Sequence, residues 1–68
     1  MRLSEPFCIR LQRIMAERDI TQSELARSLH VSRSCVHHWY WGVNEPSIET
    51  LGSLRRALRC GWEDLMGD

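Results

Sequence analysis

The sequence contains no long apolar run and no lysine. No stretch approaches the roughly 20 apolar residues that a membrane-spanning helix needs. Charged residues interrupt the first apolar positions at Glu5, Arg10 and Arg13, which is untypical of a secretory signal. We therefore expect a cytoplasmic protein, and a chain of 68 residues predicts one domain over residues 1–68.

The number and spacing of the cysteines disfavour two classes of small protein. Cys8, Cys35 and Cys60 are odd in number and widely separated, unlike a disulfide framework or paired Cys-x-x-Cys zinc ligands. Cys35, His37 and His38 predict no metal site, because such close positions on a helix do not converge on one ion. The sequence also lacks a phosphate-binding glycine loop and a third partner for a Cys–His nucleophile pair. We therefore expect no metal, cofactor or enzymatic activity.

The formal net charge is zero, which disfavours a nonspecific nucleic-acid binder. The charge is unevenly distributed, however. Residues 1–44 contain six arginines and four acids, whereas residues 45–68 contain three arginines and five acids. The first part can therefore face phosphate while the second stays clear of it. Arginine occupies every lysine or arginine position, and its planar guanidinium suits guanine edges and phosphates.

Caps and apolar periodicity predict five helices and no strand. The first runs from about Glu5 to Arg18, with Ser4 as N-cap and Pro6 in the first turn. A helical apolar stripe predicts its buried residues. These are Phe7, Leu11, Ile14 and Met15.

Residues 21–42 are predicted to form two short helices joined by a tight turn. Thr21 and Glu24 fit a capping box for the second helix, whose buried side is predicted to be Leu25, Ala26 and Leu29. The third helix has Ser32 as N-cap. It ends at Gly42, which can adopt a left-handed conformation.

The last two helices complete the predicted fold. Ser47 caps the fourth, and its inward residues are predicted to be Ile48, Leu51, Leu54 and Leu58. The fifth runs from about Trp62 to Met66, with acidic residues in its first turn that suit the helix dipole.

The third helix has the composition of a DNA-reading surface. At 100° per residue, Val36, Trp39 and Tyr40 cluster on one side, which predicts a core face. No carboxylate lies between Val31 and Asn44, and an acid there would be repelled by DNA. The residues of the opposite arc and its edges can donate to base edges or phosphates. They include Arg33, Ser34, His37, Trp41 and His38.

Two residues at helix N-termini are candidate phosphate contacts, since free backbone N–H groups there attract anions. These are Gln22 and Ser32. The interpretation of Trp41 stays open between contact with DNA or a partner and folding back onto the loop.

The stretch from Ile20 to Met66 resembles the phage repressor and Cro-like (XRE-type) helix-turn-helix domain. The resemblance rests on several motifs in one register. They are Thr21-Gln22, Glu24-Leu25-Ala26, Val31-Ser32, Gly42, Pro46-Ser47, Leu51, Leu58 and Leu65.

The resemblance implies an all-α, compact five-helix repressor-like domain that binds operator DNA as a homodimer and regulates transcription, with repression the favoured role. By position it implies phosphate contacts at Gln22 and Ser32 and base reading at Arg33, Ser34 and His38, with His37 beside them. The loop after Gly42 matches a backbone-contacting loop. As a hypothesis, dimerisation uses the apolar residues of the fifth helix, namely Trp62, Leu65 and Met66.

Three departures from the family pattern carry expectations. His30 replaces the usual glycine, which predicts a turn that is strained by about 1 kcal/mol or shaped differently. Met15 and Tyr40 replace a charged pair, so we expect an apolar contact there. Glu45 places an acid in the loop that should approach DNA.

Two other functions stay open at this stage. The neutral net charge, Trp41 and the acidic tail allow an antitoxin-type protein whose main role is to bind a protein partner. A helical adaptor that has lost DNA binding is the second alternative, and it predicts DNA affinity that is absent or independent of salt.

Overall fold

The computed structural model describes residues 5–67, and every regular element within that range is an α-helix. The all-helical fold is therefore confirmed. The helices are α1 (Phe7–Arg18), α2 (Gln22–Leu29), α3 (Arg33–Tyr40), α4 (Ile48–Leu58) and α5 (Trp62–Met66). None of these helices has both the length and the apolar character required to cross a membrane.

The start of α1 differs from the prediction. The helix begins at Phe7, and Pro6 is the N-cap with extended backbone (φ −62°, ψ 153°) rather than a first-turn residue. A proline ring disfavours helical backbone at the residue before it, which is why the helix does not begin at Glu5. The predicted cap, Ser4, lies outside the described residues.

One apolar core joins all five helices, and α1 packs against three of the other four. Phe7, Leu11, Ile14 and Met15 are all buried, as the stripe on α1 predicted. Packing contacts run from α1 to α3, α4 and α5, and from α2 to α3 and α4. This arrangement fixes α2 and α3 relative to each other while leaving one face of α3 in solvent.

The capping predictions for α2 and α3 are confirmed. The Thr21 hydroxyl accepts from the Glu24 N–H at 3.1 Å, and the Glu24 carboxylate accepts from the Thr21 N–H at 2.9 Å. The Ser32 hydroxyl accepts from the Cys35 N–H at 3.1 Å. Leu25 and Ala26 are buried, whereas Leu29 is half-buried against the core.

The prediction for Ile48 is wrong: its side chain is 75% exposed. Leu51, Leu54 and Leu58 are buried as predicted. Ile48 occupies the first helical position and lies about 120° around the helix from Leu54. It is therefore outside the stripe that packs on α1 and α2.

Helix α5 has the predicted bounds, and the Asp64 carboxylate accepts from the Gly61 N–H at 3.0 Å. Leu65 is completely buried in the core. Its assignment to a dimer interface is therefore wrong, since α5 packs this side chain against α1 and α4 within the same chain. Trp62 and Met66 are each 47% exposed.

Two arginines of α1 hold the ends of other helices. The Arg18 guanidinium donates to the carbonyl of Leu58 at 3.1 Å and to that of Arg59 at 3.2 Å. Arg10 donates to the carbonyl of Leu65 at 2.6 Å. These bonds satisfy carbonyls that have no partner at a helix C-terminus, and they tie α4 and α5 to α1.

The three cysteine thiols are free. Cys8 and Cys35 are half-buried, and Cys60 is buried in the core. Burial raises the pKa of the Cys60 thiol, which keeps it protonated and unreactive.

Candidate nucleic-acid interface

The turn between α2 and α3 is built around a left-handed histidine. His30 has φ 59° and ψ 40°, so the conformation usual for glycine at this position is kept despite the side chain. The next N–H, from Val31, donates to the carbonyl of Ala26 at 3.0 Å. The turn therefore ends α2 and leads directly into the cap of α3. The turn keeps the usual backbone shape despite the strain expected at His30.

Helix α3 is divided into a core face and a solvent face. Val36 and Trp39 are buried, and Tyr40 is half-buried against the core. The predicted contacts on the solvent face are all exposed. They are Ser32, Arg33, Ser34, His37 and His38.

Two hydrogen bonds link this solvent face to the start of α2. His37 Nδ1 lies 3.3 Å from the side-chain oxygen of Gln22. One turn earlier, Arg33 donates to the Ser23 hydroxyl over a longer distance of 3.5 Å. The structure thus brings together Gln22, Arg33 and His37 on one surface. Within residues 5–67, Ser34 and His38 make no side-chain hydrogen bond and remain open to an external partner.

Trp41 extends this surface beyond the C-terminal end of α3. It is 60% exposed. Its ring meets Tyr40 edge-on, with centroids 5.2 Å apart, and the His37 ring, with centroids 6.3 Å apart. Gly42 follows in the left-handed conformation, with φ 76°, as predicted for the end of this helix.

Two carboxylates lie close to this surface in the chain. The nearby carboxylate of Glu24 is occupied by the capping box, and hydrogen bonds from Thr21 lower its pKa. Glu45 is exposed in the segment after α3, where it places negative charge at the edge of the surface.

Two residues that contact α3 from other helices could not be predicted from the sequence. Gln12 on α1 donates to the carbonyl of Tyr40 at 2.7 Å and so holds the C-terminal end of α3. Ser23 is half-buried beside Arg33. Gln12 and Ser23 are polar residues within helices. They belong to no capping motif and to no apolar stripe, so these two signals do not identify them. Met15 and Tyr40 line one cleft, which places the two substituted family positions near each other.

The described residues contain no group of three histidine, cysteine or acidic side chains that could hold a metal ion. Cys35, His37 and His38 point to different sides of α3, since Cys35 is half-buried and both histidines are exposed.

A family model for the Cro/C1-type HTH DNA-binding domain matches residues 10–68. The chain belongs to this family. The recognised region begins within α1 and includes the turn at His30 and all of α3. No curated relative and no solved structure matched the chain.

DNA is therefore the partner of this Cro/C1-type domain, and its role as a DNA-binding regulator follows from the family. The second helix of the helix-turn-helix motif is α3.

Proposed function

We propose that this chain is a sequence-specific transcriptional repressor that binds its operator as a homodimer, with α3 in the major groove. The observation that carries the proposal is the solvent face of α3. Its exposed side chains are Arg, Ser and His, and none is a carboxylate. The proposed role is noncatalytic and cytoplasmic.

Each exposed residue has a proposed contact. Arg33 reads guanine through two parallel hydrogen bonds. Ser34 and His38 contact base edges further along the helix, and His37 lies beside them. Gln22 and Ser32, at the N-terminal ends of their helices, bind phosphate, where backbone N–H groups add to the attraction.

The proposed dimer forms through the exposed part of α5. Trp62 and Met66 are each 47% exposed, which leaves apolar area for a second copy to cover. Two α3 helices related by twofold symmetry would lie about 34 Å apart, which is one turn of DNA. The operator would then be an inverted repeat.

Selection of duplex DNA from a random pool, at about 0.15 M salt, tests the proposal directly. We expect an enriched inverted repeat with half-site centres about 10 base pairs apart. An enriched single half-site would contradict the dimer but keep sequence-specific binding. Weak, salt-sensitive retention without enrichment would contradict the proposal. Placing the selected operator over a reporter promoter then separates repression from activation.

The dimer has its own test in Trp62→Glu. The charge should shift the chain to monomer in sedimentation equilibrium and weaken operator binding, since an unpaired carboxylate is costly in an apolar interface. Ile48→Glu is the matched control in the sedimentation experiment. It places the same charge on an exposed apolar residue of another helix. Unchanged mass and affinity in Trp62→Glu would overturn this interface.

One observation favours a protein partner as a second candidate function. Exposed apolar residues follow α3, with Trp41, Val43 and Ile48 each at least 60% exposed. Large exposed apolar groups are typical of protein contacts. An antitoxin-type role would be supported if the selection enriched no operator for the chain alone but did so in the presence of a bound protein.

A further inference from the structure

Positive charge on the solvent face of α3 comes from three side chains, and two of them are histidines. Arg33 keeps its charge throughout the physiological range, whereas His37 and His38 are charged only when protonated. Histidine is the side chain whose charge ordinarily changes between about pH 5 and pH 8. The face therefore presents one fixed charge in mildly alkaline solution and up to three charges in mildly acidic solution.

Within residues 5–67 the partners of the two imidazoles are neutral. His37 Nδ1 lies 3.3 Å from the side-chain oxygen of Gln22, and the His37 ring meets the Trp41 ring edge-on. His38 makes no side-chain hydrogen bond in this part of the chain, and neither imidazole forms an ion pair with a carboxylate there. A proton taken up by either histidine is therefore not neutralised within the described chain.

The charged groups before and after α3 do not titrate together with the histidines. On α2, the Glu24 carboxylate is held in the capping box and Arg27 lies in the last turn. Glu45 is exposed after α3. Carboxylates and guanidinium groups keep their charges between about pH 5.5 and pH 8. In that range Glu45 favours protonation of the face by attraction, and Arg33 opposes it.

Helix α1 also packs against α3, and its side chain at the end of α3 is the neutral Gln12. The arginines of α1 are bonded to Glu5 or to carbonyls at the ends of α4 and α5. The charged residues of α1 and its C-cap are Arg10, Arg13, Glu17, Arg18 and Asp19. These groups also keep their charges between about pH 5.5 and pH 8. The change in charge of the α3 face in this range therefore comes from its two histidines.

DNA supplies the anionic acceptor that the imidazoles lack in the free protein. Phosphate oxygens only accept hydrogen bonds, and a protonated imidazole donates from both nitrogens. Hydrogen bonds between charged partners are about twice as strong as neutral ones. Bound DNA therefore raises the proton affinity of a histidine that it contacts. By linkage, the proton raises the affinity for DNA by the same factor.

We propose that operator binding takes up protons at His37 and His38, so that α3 binds DNA more tightly in mildly acidic solution. This inference rests on the proposed insertion of α3 into the major groove. The gain in affinity is fully present below the pH at which the free histidines titrate. It is lost as the pH rises through the titration of the bound histidines.

The first test measures the affinity for the selected operator duplex at constant ionic strength between pH 8 and pH 5.5, by fluorescence anisotropy. We expect binding to tighten about fivefold for each histidine, the difference between a charged and a neutral hydrogen bond. His37→Gln and His38→Gln retain polar side chains that cannot titrate. Each should remove its own share of the pH effect, and the double variant should remove nearly all of it.

His30→Gln is the matched control, because it removes the third histidine of the chain. His30 is exposed in the turn before α3 and lines a cleft with Ser53 and Arg56 of α4 instead. This variant should keep the full pH effect. Circular dichroism of every variant at pH 5.5 and pH 8 establishes that the helices are intact under both conditions.

The second test separates phosphate contacts from base contacts. Each additional charge that binds phosphate steepens the dependence of log K on log salt concentration by about 0.9. The slope for the unmodified chain should therefore be steeper at pH 5.5 than at pH 8, and the slope for the double variant should not change. Tighter binding at pH 5.5 with an unchanged slope would support proton uptake and assign the histidines to acceptor atoms on base edges.

The titration of the imidazole C–H signals gives a direct measurement of proton uptake. In NMR spectra we expect His37 and His38 to titrate at higher pH in the complex than in the free protein, and His30 to titrate at the same pH in both. Absence of any selected operator contradicts the proposed function itself. An operator that the unmodified chain and the double variant bind with the same pH dependence overturns the inference and leaves the proposed function intact.

Discussion

Gly42 and Cys8 are in close contact where α3 ends: a β-carbon built on Gly42 would lie 3.1 Å from Cys8 Sγ. Gly42 also has φ 76°, a conformation that residues with a β-carbon adopt at a cost. The end of α3 therefore needs glycine for two independent reasons, one from the backbone and one from packing against α1.

We expect Gly42→Ala to lower the free energy of unfolding by about 1–2 kcal/mol, because it adds left-handed strain to the steric contact. Urea denaturation followed by tryptophan fluorescence measures this change. Adding Cys8→Ala should recover only part of the loss, since it relieves the contact and leaves the backbone strained. If Cys8→Ala restored the full free energy of unfolding, the whole loss would be due to the steric contact with Cys8 and none to backbone strain.

Gly52→Ala is the matched control, with the opposite expected sign. Gly52 lies within α4, and a β-carbon there would meet only the Trp62 ring at an ordinary 3.8 Å. Alanine is favoured over glycine inside a helix by up to about 1 kcal/mol. Gly52→Ala should therefore stabilise the protein in the same urea experiment.

The local elements of this fold could be predicted from the sequence because their signals are local. The Thr21–Glu24 capping box is encoded within four residues, and the buried face of α1 follows from helical spacing alone. The exposed face of α3 could be predicted for the same reason.

The remaining features depend on how helices meet in space. Ile48 and Leu65 are both apolar and both lie in the terminal turn of a helix, yet one is largely exposed and the other fully buried. Their difference arises from which neighbours pack over each helix end. The Gln22–His37 contact likewise joins residues 15 positions apart, and it requires the α2–α3 packing angle, which no spacing in the sequence specifies.

His30→Gly should stabilise the protein by about 1 kcal/mol, because glycine adopts the left-handed conformation of His30 without the β-carbon penalty. His30→Ala is the control, since it removes the imidazole and keeps the β-carbon, so it should give no gain. Thermal unfolding by circular dichroism compares the three proteins. Equal stability of the glycine and alanine variants would show that the backbone at His30 is unstrained.

Arg18→Met should lower the free energy of unfolding by about 1–2 kcal/mol. This value is smaller than the sum for two buried charged hydrogen bonds, because Arg18 is exposed to solvent. The substitution removes two charged hydrogen bonds to the carbonyls at the end of α4. Arg13→Met is the matched control on the same helix. Arg13 pairs with Glu5 at an exposed site, and exposed ion pairs contribute little to stability. Similar losses in the two variants by urea denaturation would contradict a specific role for the Arg18 bonds.

Glu24 should make folding stability depend on pH in the acid range. Hydrogen bonds from the backbone N–H and hydroxyl of Thr21 hold the pKa of the Glu24 carboxyl below its ordinary value. The folded protein therefore releases this proton more readily than the unfolded chain. The resulting stabilisation is fully present above the unfolded-state pKa of about 4.3, and it is lost as the pH falls through the folded-state pKa. Glu24→Gln retains an oxygen that accepts from Thr21 but cannot titrate, so its unfolding free energy should fall less steeply between pH 6 and pH 3. Urea denaturation at several pH values in this range compares the two proteins, and parallel curves would exclude the capping box as a source of acid sensitivity.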